Sequence, residues 1–82
     1  MKQADAHTRF ARLTPREREV CALLVQGLLN KQIAFDLGMS ERTVKAHRAQ
    51  IMQKTGCASL ADLVRLWETI QADADVPEKR AS

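Results

Sequence analysis

The chain has no tyrosine, two phenylalanines and one tryptophan. Proteins that stack unpaired bases need more rings than Phe10, Phe35 and Trp67 can supply, so single-strand binding by stacking is disfavoured. No apolar run approaches the ~18 residues that a membrane span requires. The opening Met-Lys-Gln-Ala-Asp has no apolar stretch behind it and does not read as a secretory leader. Cysteine is limited to Cys21 and Cys57, which form no Cys-x-x-Cys. A disulfide between them stays open on sequence grounds. Without a leader, the expectation is a cytoplasmic chain with reduced thiols and Cys21 as a small core residue. His7 and His47 are far apart and no Cys/His spacing suits zinc, so neither metal nor cofactor is expected. There is no glycine-rich phosphate loop and no nucleophile–base pair. With only 82 residues to enclose a pocket, an enzyme is not expected.

What is present fits one small soluble domain. Apolar residues make up 45% of the chain, an ordinary share for a globular protein, which argues against wholesale disorder. Thirteen Lys and Arg face ten Asp and Glu, too small an excess to name a partner. Its placement is more informative. Between Ser40 and Lys54, Arg42, Lys45, Arg48 and Lys54 stand against the single acid Glu41. Such a stripe is either the footprint of a phosphate partner or a solvated helix face, and charge alone does not choose.

Punctuation along the chain predicts an all-α, compact four-helix arrangement. Thr14-Pro15-Arg16-Glu17 is an N-cap, a first-turn proline and the acid that closes a capping box. Val20, Leu23 and Leu24 follow at helical spacing and Gly27 ends the run, which gives a helix over 15–26. Asn30 is expected to cap a short helix over 31–37, stopped by Gly38. Ser40 caps a helix over 41–55, stopped by Gly56. Ser59 and Asp62 open a last helix over about 60–71. Residues 1–12 read as a flexible linker, 13–71 as the domain, and the polar stretch 72–82 as a disordered tail.

The middle two helices carry the residue types of a helix–turn–helix unit. Ala34 is small where the next helix must cross closely, and Gly38 stands where a Cβ would oppose the turn. Ile33, Leu37, Met39 and Val44 are apolar where the two helices must lock. On a helical wheel, Val44, Arg48, Ile51 and Thr55 share an inward arc, edged by His47 and Met52. The opposite side carries Arg42, Lys45, Ala46, Ala49 and Gln53, with Gln50 at its margin. Arg or Lys can pair with guanine O6 and N7, Gln can pair with adenine N6 and N7, and alanines let a helix lie deep in a major groove. Free N–H groups around Asn30 and Lys31 form an anion site at a helix start. Thr43, His47 and Lys54 are placed to touch the phosphate backbone. His47 reads equally as a half-buried packing residue, and Lys31 and Lys54 as solvated lysines. Arg48 points at the core arc, so its guanidinium should snorkel out or find an acid such as Asp36.

LTPREREV, GLLNKQIAFDLGMSERTVKAHR and SLADLVR together resemble the LuxR/FixJ-type (GerE-like) output domain of bacterial response regulators over residues 13–70. The resemblance rests on Glu17 and Glu19, the Asn30-Lys31 step, Thr43-Val44-Lys45 and His47. It implies sequence-specific binding of double-stranded DNA for transcription regulation in a two-component system. It assigns Lys45, Ala46 and Ala49 to bases, and Asn30, Lys31, Thr43 and His47 to the backbone. It also implies a homodimer on DNA through the last helix, a contact with RNA polymerase, and a receiver domain if the chain is the output part of a longer protein; a stand-alone regulator is the other reading. Two residues depart from the family's habit. Leu29 replaces a frequent proline, without expected consequence. Thr55 replaces a larger apolar residue, which should loosen the end of the reading helix.

The last helix bears on pairing independently. Leu60, Leu63, Val64, Leu66, Trp67 and Ile70 cover an arc of about 160°, against the ~100° that one buried face requires. The surplus, assigned to Leu63, Leu66, Trp67 and Ile70, either meets a second copy or packs on the N-terminal segment around Phe10. Two other functions remain open from the residues alone: a sigma-factor-like promoter reader, and a helical protein-interaction module without DNA.

Overall fold

The computed structural model describes residues 5–74. They form five helices and no strand: α1 Ala6–Ala11, α2 Pro15–Val25, α3 Asn30–Leu37, α4 Glu41–Thr55 and α5 Leu60–Ala74. The expected caps explain the boundaries. Thr14 accepts from the Glu17 amide at 3.1 Å, and the Glu17 carboxylate accepts from the Thr14 amide at 2.9 Å. That reciprocal pair fixes the start of α2. Gly38 sits at φ 65° and Gly56 at φ 73°, left-handed conformations that favour glycine, and they end α3 and α4. Between them Ser40 caps α4 through the Thr43 amide at 3.1 Å.

The core gathers one face of each long helix. Val20, Cys21 and Leu24 meet Ile33, Val44 and Ile51, with Leu63 and Leu66 closing the far side. Ala34 is buried where α3 and α4 cross. Thr55 is fully buried, and its hydroxyl donates to the Ile51 carbonyl at 2.7 Å. The expected loosening at this residue does not occur: α4 continues through Thr55 and the buried hydroxyl is satisfied.

Four expectations need correction. The segment expected to be a linker contains α1. Asp5 caps it through the Thr8 amide at 2.9 Å. Six residues are too few for an isolated helix in water, so packing has to hold it. The Phe10 ring meets Trp67 edge-on, with centroids 5.4 Å apart, and the Arg18 guanidinium lies 5.7 Å from the centre of the same Phe10 ring. Asn30 is the first residue of α3 rather than its cap; Leu29 takes the cap position and its amide donates to Gln32 Oε1 at 2.8 Å. α5 runs to Ala74, past the expected end at 71, and the rest of the expected tail lies outside the described residues.

The fourth correction concerns the apolar surplus of α5. Leu63 is 0% exposed and Leu66 5%, so neither can meet a second copy. Trp67 and Ile70 are half-buried and pack against the same core. A short helix before the domain absorbs the surplus, because α1 lies against both α4 and α5.

Candidate nucleic-acid interface

α4 is held from three sides, and one side is left open. Val44 and Ile51 anchor it inward, and neither is accessible to solvent. Arg42, Lys45, Ala46, Ala49, Gln50 and Gln53 are all exposed. They lie along one helix, so the regular helical spacing sets the distances between their side chains.

Side-chain partners sort the cations of the domain into two groups. Arg16 donates to the Leu37 carbonyl at 2.6 Å and pairs with Glu19 at 2.7 Å, which ties α2 to the end of α3. Arg48 donates to Asn30 Oδ1 at 2.8 Å, so it ties α4 to the start of α3 and does not reach Asp36 as expected. Lys54 donates to Glu17 Oε1 at 2.8 Å and Oε2 at 3.1 Å. Two of the four cations in the basic stripe thus turn inward and serve the fold. Lys31, Arg42 and Lys45 are exposed and form no salt bridge or side-chain hydrogen bond among the described residues. An exposed cation without an internal partner is available to a phosphate or a base edge.

The flanks are arranged less uniformly. Asn30, Lys31 and Arg48 line one shallow cleft at the start of α3, together with Glu41. Thr43 is exposed, and its hydroxyl lies 2.9 Å from that of Ser40 at the first turn of α4. His47 is half-buried, as the packing reading of the sequence allowed. Lys54 is 30% exposed at the side chain and its ammonium is committed to Glu17, so it does not stand beside the others as a free phosphate ligand.

The Glu17–Lys54 pair is the main electrostatic feature. Burial pushes the Glu17 carboxyl up. The hydrogen bond from Lys54 and those from Thr14 outweigh that, and the group ends below the usual carboxylate range. A buried acid with a charged partner from another helix could have been suspected from the capping box, but the partner could not be named. Phe35 was assigned no role from sequence, although helical spacing turns it away from Ile33 and Ala34; it is 87% exposed on the outer side of α3.

The family model described as "Bacterial regulatory proteins, luxR family" matches residues 11–67. The transcriptional regulatory protein FixJ of Azorhizobium caulinodans is 51% identical over 69 residues, covering 79% of this chain and 33% of its own length. Nodulation protein W of Bradyrhizobium diazoefficiens is 43% identical over 76 residues, covering 93% of this chain and 34% of its own. Among solved structures, the response regulator StyR superposes with a TM-score of 0.76 at 52% identity, over 78% of this chain and 32% of that one. The chain therefore spans about a third of the length of these relatives. The matched segment runs from the last residue of α1 through α4 to Trp67 in α5. The chain belongs to the luxR family of bacterial regulatory proteins, as a LuxR/FixJ-type helix–turn–helix DNA-binding domain.

Proposed function

We propose that α4 enters the major groove of double-stranded DNA and reads base edges with Arg42, Lys45, Gln50 and Gln53. Ala46 and Ala49 let its backbone approach closely. The observation that carries this reading is the open side of α4. Its six side chains are exposed, and its two cations have no partner among the described residues, whereas Arg48 and Lys54 on the same helix do. Lys31, Asn30 and Thr43 contact phosphates from the flanks, and the N–H groups at the start of α3 add to that grip. His47 sits beside them and contributes through its exposed edge. The role is binding, in the cytoplasm, as the output module of a response regulator whose receiver lies in the part of the relatives that this chain does not span. Contact with RNA polymerase belongs to the same proposal, and the exposed Phe35 supports a protein contact on α3.

Two copies pair through what α5 leaves uncovered. Leu60 and Val64 are neighbours one turn apart, Trp67 lies beside them, and the first two do not pack against the core. A two-fold pair of this kind fits a site of two inverted half-sites. The sigma-factor reading gains no supporting observation, and Phe35 offers a protein contact beside the open side of α4 rather than in place of it. The test is selection of bound duplexes from a random library, followed by a salt titration on the winner. A single enriched motif and a steep loss of affinity with salt are expected. No enrichment, with affinity indifferent to salt, would refute the proposal.

A further inference from the structure

The last four carbonyls of any α-helix lack an intrahelical partner. In α4 these belong to Met52, Gln53, Lys54 and Thr55. The amides of Gly56 and Cys57 serve the first two: Gly56 donates to Gln53 at 3.3 Å and Cys57 to Met52 at 3.1 Å. The other two are served by arginines of α1 and its C-terminal cap. Arg12 Nη1 donates to the Lys54 carbonyl at 3.3 Å, and Arg9 Nε donates to the Thr55 carbonyl at 2.6 Å. Arg9 also reaches Cys57 Sγ with its second nitrogen, at 3.7 Å. A cation at this end of a helix additionally meets the negative pole of the helix dipole.

These two contacts differ in kind. The Arg12 bond is exposed, so water can replace it. With Arg9 in place Thr55 is 0% exposed and the Arg9 bond is part-buried, so this contact is the better shielded of the two. Arg9 is the only side chain among the described residues that donates to the Thr55 carbonyl, and it ties to α1 the turn that carries Gln53 on its open side. Lys54 holds the same turn to α2 through Glu17, but it acts at the side chain and leaves the Thr55 carbonyl untouched.

We infer that Arg9 is a positioning residue for base reading: it locks the last turn of α4 from α1 and thereby holds Gln53 at the outermost base position. The inference rests on the groove-reading proposal above. It adds a specificity determinant that lies outside the helix–turn–helix and 46 residues before the carbonyl it holds.

The test has two arms. In the first, base-by-base selectivity is measured on randomised duplex DNA for the parent chain, Arg9→Ala, Arg9→Lys, Gln53→Ala and Lys45→Ala. Arg9→Ala is expected to lose about fivefold in selectivity at the position that Gln53→Ala also flattens. The position flattened by Lys45→Ala should stay as sharp as in the parent. Arg9→Lys keeps a donor for the Thr55 carbonyl and should recover part of the loss. A profile that does not change, or one flattened equally everywhere with Lys no better than Ala, overturns the inference. In the second arm, hydrogen exchange is followed in the free protein. The amides of residues 55–57 should exchange about tenfold faster in Arg9→Ala while those of α2 hold their rate. Unchanged exchange at 55–57 overturns the clamp. A parent chain that selects no sequence sinks the groove-reading proposal and its base-reading consequence, and the exchange arm still decides whether Arg9 clamps α4.

Discussion

Lys54 donates to both carboxylate oxygens of Glu17, at 2.8 and 3.1 Å, and so closes the last turn of α4 onto the first turn of α2. The same carboxylate accepts from the Thr14 amide, so one buried acid serves a helix cap and a helix–helix tie at once.

That double duty makes the pair acid-sensitive in a defined direction. Glu17 is held below its ordinary value of 4.5. A depressed acid contributes stability that is fully present above the unfolded value and is lost as pH falls through the folded one. The thermal midpoint should therefore drop as pH falls below about 4.5. In Lys54→Met, burial acts on Glu17 without its cation, and the acid dependence should flatten. At neutral pH that variant should lose about 2 kcal/mol. This is less than the ~3–5 kcal/mol of a fully buried pair, because Lys54 is partly solvated and Thr14 still donates to the carboxylate. Denaturant melts at pH 7 and pH 4 check both statements, and equal acid slopes in parent and variant would refute the first.

Lys45→Ala and Lys31→Ala should fail differently. Lys45 lies on the open side of α4, so its loss should cost about 1–3 kcal/mol of discrimination at one base position and leave the melting temperature unchanged. Lys31 lies at the start of α3, and its loss should weaken every duplex alike. The salt dependence of log K should become shallower by about one unit. Affinities for the selected duplex and for single-base variants, at several salt concentrations, separate the two. A Lys31→Ala variant with an unchanged salt slope does not contact phosphate.

Cys21 should be silent toward thiol reagents in the folded protein. Burial pushes its thiol up to about 12, and the neighbouring Cys57 adds to the shift. The thiolate is the reacting species, so almost none is present at pH 8. Alkylation should proceed only as fast as the domain opens, and denaturant should accelerate it steeply. Rapid labelling of Cys21 under native conditions would show that the core around Val20 and Leu24 is looser than described.

The residues that carried their own local signal were legible in sequence, and those whose partners arrive from a distance were not. Thr14 with Glu17, Ser40, Gly38 and Gly56 fix helix ends through contacts within four residues, and two helix starts and two helix ends follow from them. The open side of α4 was legible because helical spacing alone separates Lys45 from Val44. The direction of Arg48 was legible, but its partner was not, because Asn30 reaches it only after α3 and α4 have packed. α1 was missed for the same reason. Its six residues have a cap but no apolar period, and their main holds, Phe10 on Trp67 and Arg9 on the Thr55 carbonyl, come from at least 46 positions away. For α5 the sequence leaves two places for the apolar surplus, a second copy or the segment around Phe10, and Trp67 packs on Phe10 because α1 brings that ring to it.

The corrected surface makes the pairing proposal sharper. Leu66→Asp should unfold the domain, because a charge at a 5%-exposed core position has no partner. It therefore says nothing about pairing. Val64 is half-buried and does not belong to the core, so Val64→Asp should leave the free energy of unfolding within about 1 kcal/mol of the parent. Two such charges facing each other across a two-fold axis would repel. The variant should keep the parent's affinity for a duplex with one half-site and lose the advantage of a duplex with two. Binding curves on the two duplexes, with sedimentation of the complexes to count bound copies, measure that difference. If Val64→Asp binds the two-site duplex as tightly as the parent does, the stripe of Leu60, Val64 and Trp67 does not join the copies. If it also loses affinity for the single half-site, the substitution has disturbed α4 rather than a subunit contact.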